Sequence, residues 1–102
     1  MELWRKGTSQ MMLAIDYDET YTEDPEFWDY MIYFAKSRGH SVICATMRYE
    51  SEGEEVMAAL GEKVERIIFT GRKAKHKFVQ EAGYYPSVWI DDSPHWLFQD
   101  SK

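Results

Sequence analysis

Four short apolar runs, each followed by polar or acidic residues, constrain the fold of this chain more than any other feature. They are MMLAID at 11–16, SVICAT at 41–46, RIIFT at 66–70 and SVWI at 87–90. Runs of this length and character are typical of buried parallel strands. Three segments with helical spacing separate them, and they span about 24–38, 51–60 and 73–82. The alternating order predicts a three-layer, Rossmann-like α/β fold, a parallel sheet of about four strands with helices on both faces.

Local signals support the three helices. Pro25 suits the first turn of a helix that Asp24 or Thr22 can cap, and Gly39 ends it. The apolar positions of the first two helices recur at the spacing of an amphipathic helix. They are Phe27, Tyr30, Met31 and Phe34 in the first helix, and Val56, Ala59 and Leu60 in the second.

Length, composition and charge exclude several classes of protein. The chain has 102 residues, of which 44% are hydrophobic, enough for one folded domain over 1–102. Its core is expected over about 11–94, with the N-terminal and C-terminal segments packing on it. A net charge of −6 argues against broad affinity for nucleic acids or anionic membranes. The single cysteine, Cys44, and the lack of a long apolar run predict a protein of the cytoplasm, without a membrane span or signal peptide.

Acidic, hydroxyl and basic residues collect where the predicted strands end. In an open parallel sheet, ligands bind beyond the carboxyl ends of the strands. The residues expected at that edge are Asp16, Asp18, Thr46, Arg48, Thr70, Arg72, Asp91 and Asp92. Four carboxylates close together need a counter-charge, and Mg²⁺ prefers such oxygen ligands. Thr46 and a lysine could hold phosphate oxygens, so the pattern indicates a phosphoryl-transfer site.

Four motifs then resemble those of the haloacid dehalogenase superfamily. They are LAIDYDET, VICATMR, a lysine at a helix start and VWIDDSP, in the family's order and over residues 11–94. The chain looks like a minimal, capless member, similar to small phage-encoded proteins of this type. The resemblance implies a strand order of 4-1-2-3, which would place Asp91 and Asp92 beside Asp16.

The resemblance also implies a role for each matching residue. Asp16 corresponds to the nucleophile, which forms an aspartyl-phosphate, and Asp18 to the general acid and base. Thr46 corresponds to the hydroxyl that binds the transferring phosphoryl group. The Mg²⁺ ligands are expected to be Asp16, Asp18 and Asp92. Asp91 either binds the ion directly or lies close beside these ligands. Further contacts with substrate are expected from Arg48, Arg72, Lys73 and Thr20.

Three lysines are candidates for the motif lysine, since Lys73, Lys75 and Lys77 all lie near the start of the third helix. Lys75 precedes Phe78 by three residues and Val79 by four, so it shares their inward face. Lys75 is therefore favoured and Lys73 is second.

Two departures from the family pattern bear on the substrate. Glu19 stands where the family usually has glycine, and the short segments after Asp18 and Thr46 have no room for a cap. An open site suits a large substrate, such as a polynucleotide end, a phosphoprotein or a phosphorylated glycan. A partner subunit or a second copy of the chain could also act as the cap.

The sequence pattern also bears on other kinds of site. A calcium loop fails, because Tyr21 and Phe27 stand where glycine and glutamate are needed. A receiver domain would carry its acidic pair first, whereas here the pair comes last. Two alternatives use the same residues: a phosphotransferase, and a non-catalytic domain that binds a phosphorylated partner or nucleic acid. The basic run from Arg72 to Lys77 could serve such a nucleic-acid contact, or could be solvated.

Overall fold

Four parallel strands in the spatial order β3-β2-β1-β4 form the centre of the molecule, in a computed structural model that describes residues 10–102. The strands are β1 (Met12–Ile15), β2 (Ser41–Thr46), β3 (Ile67–Phe69) and β4 (Val88–Ile90). The helices are α1 (Pro25–Ser37), α2 (Glu54–Leu60) and α3 (Lys75–Glu81), and short 3₁₀ turns cover Tyr21–Glu23, Glu50–Glu52 and Pro94–Leu97. The predicted α/β class and strand order are confirmed.

The alternation of side chains along β1 explains the three layers. Leu13 and Ile15 point to one face, where they pack in a cluster with residues of α1 and α2. Ala14 points to the other face, in a cluster that includes Val79 of α3. Since both faces of the central strand are covered by helices, β1 is apolar throughout, as in other buried parallel strands. Ile15 is fully buried, which stabilises the fold by roughly 2 kcal/mol.

Helix α1 begins as expected, but it does not bury all of the apolar positions that show helical spacing in the sequence. Asp24 caps the helix by accepting a hydrogen bond from the backbone N–H of Phe27 at 3.3 Å, and Pro25 occupies the first turn. The predicted stripe of Phe27, Tyr30 and Phe34 is nevertheless exposed.

The buried face of α1 lies one residue further along the chain. It consists of Trp28, Met31, Ile32 and Ala35, which have the same i, i+3, i+4, i+7 spacing. Both stripes satisfy the period of a helix, and the stripe with more aromatic rings is the exposed one. Of the four apolar positions that show helical spacing in the sequence, Met31 alone belongs to the buried stripe, while Phe27, Tyr30 and Phe34 are exposed.

Two helices start later than predicted, for local reasons. Before α3, the Thr70 hydroxyl donates a hydrogen bond to the Lys73 carbonyl at 2.8 Å, and the Ala74 N–H donates to Asp100 at 2.8 Å. These bonds hold residues 70–74 in a turn, so the helix begins at Lys75. Before α2, the 3₁₀ turn Glu50–Glu52 occupies the segment where the first helical residues were expected.

The C-terminal segment packs back on the body of the domain, as expected, through contacts with α3 and the turn before it. Leu97 is buried, and the Ser101 N–H donates a hydrogen bond to the Arg72 carbonyl at 2.7 Å. Phe98, by contrast, is largely exposed, with its ring centroid 5.2 Å from that of His76. The expected packing of the N-terminal segment concerns residues 1–9, which lie outside the described part. Within residues 10–102, every helix is too short or too polar to span a membrane.

Candidate active site

The candidate site lies between β1 and β4, where the order in which the chain adds strands to the sheet reverses. From β1 the chain crosses to β2 on one side, and after β3 it returns to β4 on the other side. Such a switch point leaves a crevice at the carboxyl ends of the two strands. Asp16 follows β1 and Asp91 follows β4, and the Asp16 N–H donates to the Ile90 carbonyl at 2.9 Å. The topology therefore fixes the two acids side by side.

Lys75 joins these two acids. Its ammonium lies 2.7 Å from Asp16 Oδ1 and 2.6 Å from Asp91 Oδ2. The side chains of Lys75, Asp16 and Asp91 are 4%, 10% and 4% exposed, so the group is withdrawn from water. Lys75 is the first residue of α3 and one of the two residues that this helix buries. Of the three candidate lysines, Lys75 is the one that contacts the acids.

Burial and pairing act against each other on the titration of this group. Burial raises the pKa of Asp16 to about 7, although the neighbouring Lys75 ammonium acts to lower it. Burial acts to lower the pKa of Lys75, but the carboxylates of Asp16 and Asp91 outweigh it and the net shift is upward. A further cation beside Asp16 would favour its ionised form.

Thr20 connects Asp16 to the fourth acid of the sequence pattern, Asp92. The Thr20 hydroxyl lies 3.2 Å from Asp16 Oδ2 and 2.9 Å from Asp92 Oδ1, and it accepts a hydrogen bond from the Asp92 N–H at 3.1 Å. Burial acts to raise the pKa of Asp92, but hydrogen bonds from Thr20 and Ser93 outweigh it and the pKa is lowered. Asp92 is therefore held as a carboxylate at the mouth of the site.

The three acids Asp16, Asp91 and Asp92 have the chemistry of a site for a hard divalent cation. One oxygen of each lies within 4.8 Å of the others. When all three are ionised, the single ammonium of Lys75 leaves two negative charges uncompensated among these four groups, which a divalent cation would balance. Carboxylate oxygens are the preferred ligands of Mg²⁺. The residues present thus fit the expected metal.

Asp18 lies in the same cavity, but its carboxylate is paired with Arg48. The guanidinium donates from Nε to Oδ2 at 3.0 Å and from a terminal nitrogen to Oδ1 at 2.8 Å, a bidentate geometry. Arg48 also donates to the Glu52 carbonyl at 2.8 Å and lies over the ring of Tyr17, 5.2 Å from its centroid. Asp18 raises the pKa of Arg48, so the guanidinium stays charged.

Three other predicted residues have contacts that do not lead into the acid cluster. Thr46 is buried, and its hydroxyl accepts a hydrogen bond from the Arg48 N–H at 3.3 Å. The Lys73 ammonium lies 3.9 Å from Asp100, in a separate depression. Arg72 does line the cavity, but its guanidinium donates to the Met47 carbonyl at 2.7 Å and lies 5.0 Å from the ring centroid of Tyr49.

Two residues that line the cavity have left-handed backbone conformations. Glu19 has φ of 62° and Arg72 has φ of 74°, a region that costs a residue with a side chain about 1 kcal/mol. At Glu19 the turn is supported by a hydrogen bond from its N–H to the Thr22 hydroxyl at 2.9 Å. Glycine adopts this conformation without strain, which gives a physical reason for glycine at this place in the motif. The structure tolerates glutamate here, at the edge of the site.

A cavity of about 280 Å³ stands above the acids. Its lining residues are Asp16, Asp18, Glu19, Met47, Arg72, Lys75, Asp91, Asp92, Ser93, Trp96 and Ser101. The sequence motifs included Met47 and Ser93 without assigning them a role, and sequence reasoning missed Trp96 and Ser101 as parts of the wall. Pro94 is the one signal that could have found Trp96, because proline at the start of a helical turn positions the residues after it.

Comparison with models of protein families, with curated proteins and with solved structures found no match for this chain.

Proposed function

We propose that this chain is a Mg²⁺-dependent phosphohydrolase of the haloacid dehalogenase type, working through an aspartyl-phosphate on Asp16. The observation that carries the proposal is the buried contact of Lys75 with Asp16 and Asp91, beside Asp92, at the switch point of the sheet. A carboxylate nucleophile, a fixed ammonium and further acids for a metal are the parts that phosphoryl transfer needs. They come together from three separate elements of the chain.

Asp16 and Asp92 are proposed to hold the metal, with Asp91 beside them and Asp18 contributing as in the family it resembles. When bound, Mg²⁺ would neutralise charge on the oxygens of the transferring phosphoryl group. Lys75 does the same from the protein side and keeps Asp16 oriented through its 2.7 Å contact. Thr20 hydrogen-bonds to both Asp16 and Asp92 and so fixes their carboxylates relative to each other.

The proposed reaction has two steps. A carboxylate oxygen of Asp16 forms a bond to phosphorus while the bond to the leaving oxygen breaks, and Asp18 donates the proton that this oxygen takes up. Water then attacks the aspartyl-phosphate, Asp18 accepts a proton from it, and the phosphorus–Asp16 bond breaks. Phosphate leaves and the Asp16 carboxylate is restored.

The site stands open, which favours a large or protruding substrate. Among residues 10–102, the links that follow β1 and β2 consist of short turns and one helix each, without an inserted cap. The cavity of about 280 Å³ accepts a phosphoryl group and the atoms next to it. A polynucleotide end or a phosphoprotein fits this description. Trp96 and Met47 in the wall offer apolar contact to the group that carries the phosphate.

The test is hydrolysis of 4-nitrophenyl phosphate with and without Mg²⁺, in the wild type and in Asp16→Asn. We expect metal-dependent turnover that falls by at least about 1,000-fold in the variant, since the nucleophile is lost. Asp29→Asn is the matched control, because Asp29 pairs with Lys63 outside the cavity. Normal Mg²⁺ binding by calorimetry together with no turnover on any phosphoester would contradict the catalytic proposal.

One observation favours a second candidate, a domain that binds a phosphorylated partner without turning it over. The proposed acid, Asp18, has both carboxylate oxygens engaged by Arg48. Proton donation requires this carboxylate to leave the pair. The two candidates separate in Asp18→Asn, which lowers turnover by at least about 100-fold in an enzyme and leaves phosphate binding unchanged in a binding domain.

A further inference from the structure

Helix α1 presents an unusual row of exposed aromatic side chains. Tyr30 and Tyr33 are 72% and 70% exposed, and Phe27 and Phe34 are more than half exposed. An open groove of about 610 Å³ runs along them. We call it the α1 groove, and its lining residues are Asp24, Glu26, Phe27, Asp29, Tyr30 and Tyr33.

This surface is not required by the packing of α1. The helix already buries its other face, through Ile32, Ala35 and the part-buried Trp28 and Met31. Large aromatic rings gathered in one exposed patch are typical of a binding surface, because tyrosine and phenylalanine are enriched where proteins meet partners. None of the groove residues lines the cavity of the candidate active site, so this surface is separate from the proposed chemistry.

The charge of the groove indicates what it binds. Three of its six lining residues are acids, and none is basic. Asp29 forms a salt bridge with Lys63 at 2.9 Å and accepts a hydrogen bond from the Tyr21 hydroxyl at 2.6 Å. Glu26 and Asp24 form no salt bridge within residues 10–102, although the Asp24 carboxylate accepts the capping hydrogen bond from the Phe27 N–H. The groove thus combines ring faces with three carboxylates.

We propose that the α1 groove binds a lysine- or arginine-bearing peptide segment of a partner protein. A guanidinium or ammonium group can lie over the faces of Tyr30 and Tyr33, where the ring quadrupole attracts a cation. The carboxylates of Glu26 and Asp24 complete the charge match, and they repel nucleic acids and anionic lipid surfaces. A second copy of this chain is disfavoured as the occupant, because each copy carries a net charge of −6.

The experiment titrates the full chain into a fluorescein-labelled, capped nonaarginine peptide at 150 mM salt and follows anisotropy. We expect Tyr30→Ala/Tyr33→Ala to weaken binding about tenfold, and Glu26→Gln to weaken it about threefold. Tyr30→Phe/Tyr33→Phe keeps the ring faces and should bind within about twofold of the wild type. Tyr85→Ala is the control, since Tyr85 is a tyrosine outside α1 that is also mostly exposed. All of these side chains are exposed, and circular dichroism of each variant checks that it is folded.

Three results would overturn the proposal. The first is a wild type that does not bind the peptide, and the second is an equal loss of binding in Tyr85→Ala and Tyr30→Ala/Tyr33→Ala. The third is a dimer in light scattering that Tyr30→Ala/Tyr33→Ala converts to a monomer, which would assign the groove to a second copy of the chain. Peptide binding that depends on the rings of α1, by a monomeric protein, supports it. Loss of phosphatase activity in Asp16→Asn leaves each of these outcomes unchanged.

Discussion

Two aspartates stand two residues apart after β1, and each is paired with a cation, yet their surroundings differ. The pair of Asp16 with Lys75 is 10% and 4% exposed, whereas the pair of Asp18 with Arg48 is 49% and 22% exposed. Both pairs have short contacts, 2.7 Å and 2.8 Å. Distance alone therefore does not separate them, and burial does.

The difference in burial means that one site combines a fixed ion pair, Asp16 with Lys75, and an ion pair that can open, Asp18 with Arg48. A buried ion pair cannot lose one partner without leaving a charge away from water, so Asp16 and Lys75 hold each other in place. An exposed pair exchanges its partner for water at little cost, so Asp18 is able to leave Arg48. Within the proposed mechanism this suits a nucleophile that must not move and an acid that must reach different oxygens.

Removing Lys75 should have the largest effect on stability. Lys75→Met leaves Asp16 and Asp91 close together without their shared cation, and we expect the free energy of unfolding to fall by about 3–5 kcal/mol. Urea unfolding at pH 7.5 measures the change. Lys77→Met is the control, because Lys77 lies on the same helix but is exposed, and it should change stability by less than about 0.5 kcal/mol. Equal losses in the two variants would show that the buried half of the site is not held by its charges.

The pH dependence of stability should reveal the raised pKa of Asp16 in the buried pair. Its pKa is raised from 3.8 to about 7, so between these values the folded state binds more protons than the unfolded state. Stability should therefore fall as the pH rises from 5 to 7, by up to about 1.4 kcal/mol per pH unit. The upward shift in the pKa of Lys75 acts at higher pH, outside this window.

Urea unfolding in the presence of a chelator measures this slope, and Asp16→Asn is the comparison. Asparagine does not titrate, so the variant should lose the part of the slope that belongs to Asp16. The two proteins share every other titrating group, which removes the histidines and the surface acids from the difference. Parallel curves for wild type and variant would contradict the raised pKa.

Much of the fold and of the acid cluster could be predicted from the sequence, because both depend on local signals. Short apolar runs that end at Asp16 and at Asp91 define strands and place acids at their ends. The spacing of Lys75 from Val79 puts that lysine on the inward face of α3. Parallel topology then brings these residues together, whatever the details of the loops.

The features that could not be predicted depend on choices between equivalent patterns or on distant contacts. Two stripes on α1 share one helical period, and only the packed sheet decides that Ile32 faces inward and Tyr30 outward. The pairing of Asp18 with Arg48 joins residues 30 positions apart through side-chain rotamers. Trp96 reaches the cavity wall because Pro94–Leu97 packs back toward α3, a tertiary contact without a sequence period.

The exposed pair of Asp18 with Arg48 should contribute least to stability, and measuring its coupling tests the contrast with the buried pair of Asp16 and Lys75. A double-mutant cycle with Arg48→Met and Asp18→Asn isolates their coupling from the other contacts of Arg48, with Glu52, Glu55 and the Tyr17 ring. We expect a coupling free energy of about 0.2–1 kcal/mol that declines further at 0.5 M salt. Chemical denaturation of the four proteins at both salt concentrations measures it.

The same variants separate structural from catalytic importance. If Asp18 is the acid and base, Asp18→Asn should lower turnover by about 100-fold to 10,000-fold while its stability stays near that of the wild type. A coupling above about 2 kcal/mol would instead show that Asp18 is as firmly held as Asp16. The Asp18 carboxylate would then be fixed on Arg48, and the binding domain would become the better account of this site.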